Sequence, residues 1–183
     1  TALEHAHQFG HAHADTAVEA SAASLLALLH GLLGEVPDAR RWVTRLRTMP
    51  VLTDPAAAVG PATAHVHLAT AAASLLIAVD ELDRIAAEAA FRRLTQLDPA
   101  TSLWLDLWVY GLFAQARYAL HYGDVHRILD RVGRARLRHR HQLAEDGVAP
   151  ALLASIEAEL LLAAGQANPA RRCLRRASPH ALL

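Results

Sequence analysis

The chain has 183 residues, 53% of them hydrophobic, with 18 basic and 18 acidic side chains and a formal net charge of zero. That length suits one domain with a real core or a few stacked repeats, and the neutral balance excludes a protein that holds nucleic acid by bulk charge. Its single cysteine, Cys173, excludes an internal disulfide and any multi-cysteine zinc site.

Much of the apolar content is alanine and leucine rather than aromatic or β-branched, which favours helix over strand. Every cation is arginine, a sign of coding bias rather than of chemistry. The composition and the absence of a basic, apolar leader fit a cytoplasmic protein with no membrane contact. The longest uncharged apolar run, His67 to Val79, is shorter than the ~20 residues that cross a bilayer. A start at Thr1 rather than Met suggests a fragment of a longer protein.

Residues 1–14 alternate His, Ala and Gly around Phe9 and are expected to form a flexible, His-rich segment. Asp15 is a plausible N-cap for an Ala/Leu helix to Leu33, with Leu25, Leu29 and Leu32 on its apolar face and Leu26 and Leu33 widening it. Gly34 closes that helix, and Pro37 sits in the first turn of the next, whose stripe is Ala39, Trp42, Val43, Leu46 and Met49. Pro50, Pro55 and Pro61 mark a loop. A second pair covers 62–79 and 81–97 and stops at Asp98-Pro99, because the residue before proline is pushed out of the helical region. The third pair, residues 101–143, is two apolar helices joined at Gly123-Asp124. The last runs from Pro150 through Leu152, Leu153, Ile156 and Leu160 to Gly165, then through Ala170, Cys173, Leu174 and Ala177.

Gly34, Asp80, Gly123 and Gly165 recur at intervals of 46, 43 and 42 residues. Seven positions before them stand Ala27, Ala73, Ala116 and Ala158; five after stand Ala39, Ile85, Ile128 and Ala170. Each pair is an αα-hairpin whose stripe needs a neighbour, so the chain reads as four helical repeats. Residues 15–178 make the repeat domain and 179–183 a tail.

The end of the second unit, Ala89-Ala90-Phe91, Leu94 and Leu97-Asp98-Pro99, resembles the close of a tetratricopeptide helix. Ala116, Ala119-Leu120, Gly123-Asp124 and Ile128-Leu129 resemble the tetratricopeptide-like repeats of MalT-type regulators, the large ATP-binding LuxR-family transcriptional activators of bacteria, abundant in actinomycetes. Ala151 to Ala154, Glu157 to Leu162, Gly165 and Ala170-Arg171 do the same, and the likeness spans roughly residues 20–178. It implies an all-α fold, a right-handed α-α superhelix of about four tetratricopeptide-like hairpins. It also implies a sensor or scaffold role: a protein partner or small-molecule effector is received and relayed to neighbouring ATPase and helix-turn-helix modules. No G-x-x-x-x-G-K-[ST] phosphate loop occurs in the chain. ATP hydrolysis and direct nucleic-acid contact are therefore not expected of it. The alternative is a free-standing tetratricopeptide-type adaptor for another protein.

No catalytic constellation stands out, and no enzyme activity or cofactor is expected. His5, His7, His11 and His13 read as scattered imidazoles rather than a metal site, since a structural site wants four ligands held rigidly. The run Arg131, Arg134, Arg136, Arg138 and Arg140 spreads charge around its helix and reads as a solvated face. The third pair carries most of the aromatics, which at helical spacing usually fill a core. A binding surface is sought there first: Trp104 and Trp108 as an aromatic cup, with Tyr110, Arg117 and His121 as polar contacts.

Overall fold

The computed structural model describes residues 1–53, 61–97, 105–123, 125–141, 143 and 148–177. Among them every regular element is a helix: α1 (Ala2–Ala12), α2 (Thr16–Leu32), α3 (Val36–Leu46), α4 (Pro50–Thr53), α5 (Pro61–Asp80), α6 (Arg84–Gln96), α7 (Leu105–Tyr122), α8 (Val125–Arg138), α9 (Val148–Ala163) and α10 (Ala167–Ala177). The chain divides into two compact units, Thr1–Gly111 and Leu112–Leu183, the division falling inside α7.

In the first unit α2 packs against α1, α3 and α5, and α5 packs in turn against α3 and α6. A helix packed on several sides is apolar over most of its circumference. Val66, Ala69, Ala72, Ala73, Leu75 and Val79 of α5 are accordingly buried. The apolar segment is longer than the sequence suggested. Thr63–Asp80 is long and apolar enough to cross a membrane, yet 72% of it is buried inside the fold, as befits a core helix. Around α2 the buried side runs through Ala20, Ala23, Leu26, Ala27 and Gly31, whereas Leu29 and Leu33 are exposed. Of the expected leucine face, Leu26 is buried, Leu25 and Leu32 are half-buried, and Leu29 and Leu33 point outward. Helices crowd α2 on several sides, and only small residues let backbones come that close; a Cβ on Gly31 would lie 3.4 Å from Leu76 Cδ1.

Residues 1–14 are not the flexible segment expected. Thr1 caps α1 in a capping box with Glu4, and α1 lies along α2 with His7 and Gly10 buried. Proline spacing likewise hid α4, where Pro50 opens a short helical turn rather than a loop. The rest of that expected loop, 54–60, lies outside the described residues.

One turn geometry recurs. At Ala14, Gly34, Leu82 and Gly165 the backbone enters the left-handed region, with φ of 54°, 74°, 58° and 74°. The amide of the next residue then reaches back to a carbonyl five positions earlier: Asp15 to Gly10 (2.8 Å), Glu35 to His30 (2.8 Å), Asp83 to Ala78 (2.9 Å) and Gln166 to Leu161 (2.8 Å). That hydrogen bond satisfies a helix-end carbonyl, and the amide that makes it opens the next helix. Gly123 enters the same region at φ 100°.

The second reference position is therefore Leu82 and not Asp80. With this register, five residues after the turn stand Ala39, Ala87, Ile128 and Ala170, all at most 1% exposed, while Ile85, expected there, is 84% exposed. Seven before it stand Ala27, Leu75, Ala116 and Ala158, all buried.

Leucine pays steric strain at φ 58°, since a Cβ there crowds the carbonyl. Leu82→Gly is expected to stabilise the fold by about 1 kcal/mol, read as a higher urea midpoint. A midpoint that falls would show the side chain, now 70% exposed, to matter more than the backbone.

In the second unit α9 packs against α8 and α10. Ile128, Val132, Leu153, Ile156 and Leu160 supply its large buried side chains.

Candidate functional site

Within apolar α5 one polar stripe stands out: Thr63, His67, Thr70 and Ser74, at helical spacing. Three of these residues line a recess of about 510 Å³ in the first unit. Its walls are Arg47, which follows α3, Leu52 of α4, His67, Thr70, Ala71 and Ser74 of α5, and Ala86, Ala89, Ala90 and Arg93 of α6. It therefore lies between the segment that follows α3 and the α5–α6 hairpin.

The alanines keep the floor wide and apolar. The Thr70 hydroxyl donates to the Val66 carbonyl (2.7 Å) and the Ser74 hydroxyl to the Thr70 carbonyl (2.8 Å), so both oxygens are left as acceptors. His67 Nε2 is buried without a hydrogen-bond partner. Burial, with the Arg93 charge beside it, holds this imidazole below its ordinary value, so it is neutral at neutral pH. Among the described residues the lining holds two hydroxyls committed to backbone carbonyls and no carboxylate. The recess is lined as a hollow that can hold a small molecule.

A second polar cluster ties α1 to α2 and α3. The His7 ring is 5% exposed and meets Trp42 edge-on, centroids 4.9 Å apart. Glu19 Oε1 lies 3.5 Å from His7 Nε2, 3.3 Å from His11 Nδ1 and 2.8 Å from an Arg45 guanidinium nitrogen. Burial and the Arg45 charge, with a smaller push from His11, depress His7 despite the opposing pull of Glu19. Burial would raise Glu19, but the Arg45 hydrogen bond and the surrounding cations outweigh it and hold the carboxyl low. His65, hydrogen-bonded to Ser21 Oγ (2.8 Å), is depressed by burial as well.

These shifts share a sign. A histidine whose folded pKa lies below the unfolded 6.5 stabilises fully above 6.5 and loses that contribution as the pH falls through 6.5 towards the folded value. Glu19 contributes above the ordinary 4.5 and loses its share as the pH falls through its lowered value. Thermal melts followed by circular dichroism are therefore expected to shift down steadily from about pH 7.5 to about pH 4. A flat profile over that range would contradict this assignment.

In the second unit Arg136 pairs with Glu157 (2.6 Å), joining α8 to α9, so this arginine is not part of a wholly solvated face. The Cys173 thiol donates to Glu157 Oε2 (3.1 Å) and receives a hydrogen bond from Arg136 (3.3 Å). Burial and the Glu157 carboxylate push that thiol up to about 11 against the pull of Arg136. It stays protonated at neutral pH and is not a nucleophile. A shallower recess of about 300 Å³ opens beside it, lined by Arg136, Arg140, Leu143, Pro150, Leu153, Ala154 and Cys173.

Of the residues singled out in the sequence, Trp104 lies outside the described residues. Trp108, Tyr110 and Arg117 are half-buried on α7 and His121 is exposed. Tyr110, Arg117 and His121 follow one stripe of the helix, whereas Trp108, two residues before Tyr110, turns to the other side. One helix face does not gather all four. The N-terminal histidines are also dispersed: His7 and His11 sit beside Glu19, and His13 Nδ1 lies 2.9 Å from the Phe9 carbonyl. His30, Glu35 and Asp38 bring ligand atoms within 4.8 Å of one another, but His30 already bonds Glu35 (2.5 Å) and Asp38 pairs with Arg41 (3.2 Å). Sequence reasoning missed the recess. The signal was the polar stripe of α5; Arg47 and Arg93, far apart in the chain, had none.

The fold and this recess define an all-α protein of helical hairpins that carries a cationic, ligand-sized hollow. Compared with protein-family models, curated proteins and solved structures, the chain matches none.

Proposed function

We propose that the chain is a non-catalytic helical-repeat segment, a right-handed α-α superhelix of about four tetratricopeptide-like hairpins. It serves as the sensor or scaffold part of a LuxR-family transcriptional regulator and works in the cytoplasm. The observation that carries the reading is the recurrence of one left-handed turn with the same buried positions on either side of it. Repeats of this kind bury one face on the next hairpin and leave crevices between hairpins for ligands. The recess of the first unit is such a crevice.

An effector seated there touches Arg47 at the end of α3 together with α4, α5 and α6, and so favours one packing of two successive hairpins over another. That differential contact is what a population shift requires, and the biased packing is what ATPase and DNA-binding modules would sense. Reading the codons on either side of this segment in its gene tests the proposal. A phosphate loop upstream and a helix-turn-helix downstream are expected; a start and a stop codon at these ends would instead make it a free-standing adaptor.

A further inference from the structure

We propose that the recess of the first unit binds a small organic anion, a carboxylate or phosphate carried on a compact apolar body. The inference rests on the effector-binding reading above and names the class of ligand for the same site.

Arg40 pairs with Glu81, Arg45 with Glu19 and Arg92 with Glu88. Arg47 and Arg93 line the recess, and among the described residues neither has a carboxylate partner and no acidic side chain shares the lining. Two guanidiniums facing one hollow repel each other, and an anion between them removes that repulsion while accepting charge-assisted hydrogen bonds. His67 Nε2, buried and without a partner, offers a third polar contact.

The rest of the lining sets the body of the ligand. Alanines and Leu52 give an apolar floor, and the Thr70 and Ser74 oxygens accept from a hydroxyl or amino group on the same molecule. A hollow of about 510 Å³ lies within the range of small-molecule sites. A nucleic acid would need many more phosphate contacts than two arginines supply.

The test is a titration of the intact chain with benzoate, phenyl phosphate, benzyl alcohol and inorganic phosphate, followed by amide NMR shifts. Benzoate or phenyl phosphate is expected to shift resonances of α5 and α6 around the recess, and benzyl alcohol to leave them in place. The stronger of the two aryl anions tells carboxylate from phosphate. Arg47→Gln combined with Arg93→Gln is expected to weaken binding about tenfold or more, whereas Arg92→Gln, on the same helix but paired with Glu88, leaves it unchanged. Both recess arginines are exposed, so the double variant keeps its fold, checked by circular dichroism.

Equal shifts with benzyl alcohol, equal binding of inorganic and phenyl phosphate, unchanged affinity in the double variant, or no binding by either aryl anion would each overturn the proposal. A regulator gene confirmed by its flanking codons would survive that outcome, with its effector held elsewhere.

Discussion

Leu46→Ala is expected to lower the stability of the first unit by about 2–5 kcal/mol, the range for truncating a fully buried leucine. Leu46 is 0% exposed and belongs to a cluster with Ala27, Ala39, Val43, Met49, Val66, Ala73 and Ile77, to which α2, α3 and α5 all contribute. The loss has two parts: the transfer energy of the missing carbons, and the cavity left because the surrounding helices collapse only partly. Ala27, Ala39 and Ala73 have no rotamers with which to fill the void, whereas Met49 can swing into part of it, so the middle of the range applies. The next residue is Arg47, on the rim of the recess. Loosening the end of α3 is therefore expected to weaken ligand binding along with stability. Urea unfolding followed by circular dichroism measures the first effect. A loss below about 1 kcal/mol would mean that the α2–α3–α5 cluster is not the core of this unit.

Gly10→Val is expected to peel α1 from α2. A Cβ at Gly10 would lie 2.7 Å from the Glu19 backbone nitrogen and 3.0 Å from the Asp15 carbonyl oxygen. Both atoms are backbone, so no side chain can swing aside, and the helices must separate. Overpacking of this sort costs about 1–3 kcal/mol. The damage reaches further than α1, because His7 loses Trp42 and Glu19 loses both of its imidazole neighbours, keeping only Arg45. Hydrogen exchange over residues 2–12 reads the effect directly: protection of those amides should collapse while that of α5 persists. Retained protection in α1 would show that the helix is not held by this contact.

Much of the fold was legible in the sequence. Gly34, Gly123 and Gly165 end helices because a left-handed residue is cheapest as glycine, and glycine inside a helix is costly. Asp15 and Asp83 cap their helices by accepting amide hydrogen bonds, as their position before apolar runs suggested for the first of them. Leu82 misled the reading. A leucine with positive φ carries no local mark, since its conformation is imposed by the hairpin around it, and the repeat register slipped by two residues in consequence. The N-terminal histidines misled it too. Alternating His and Ala looks polar and loose, yet His7 becomes a core residue once Trp42 and α2 surround it.

What the sequence by itself determined was the succession of the paired helices α2, α3 and α5 to α10, most of their stops and the all-helical character, because these follow from backbone preferences acting within a few residues. Which face of α2 is buried, why most of α5 is buried, and that Arg47 and Arg93 meet His67 at one hollow were decided only by the tertiary structure. Helix packing selects small residues where backbones approach closely, and it joins side chains far apart in the chain; neither effect leaves a local trace.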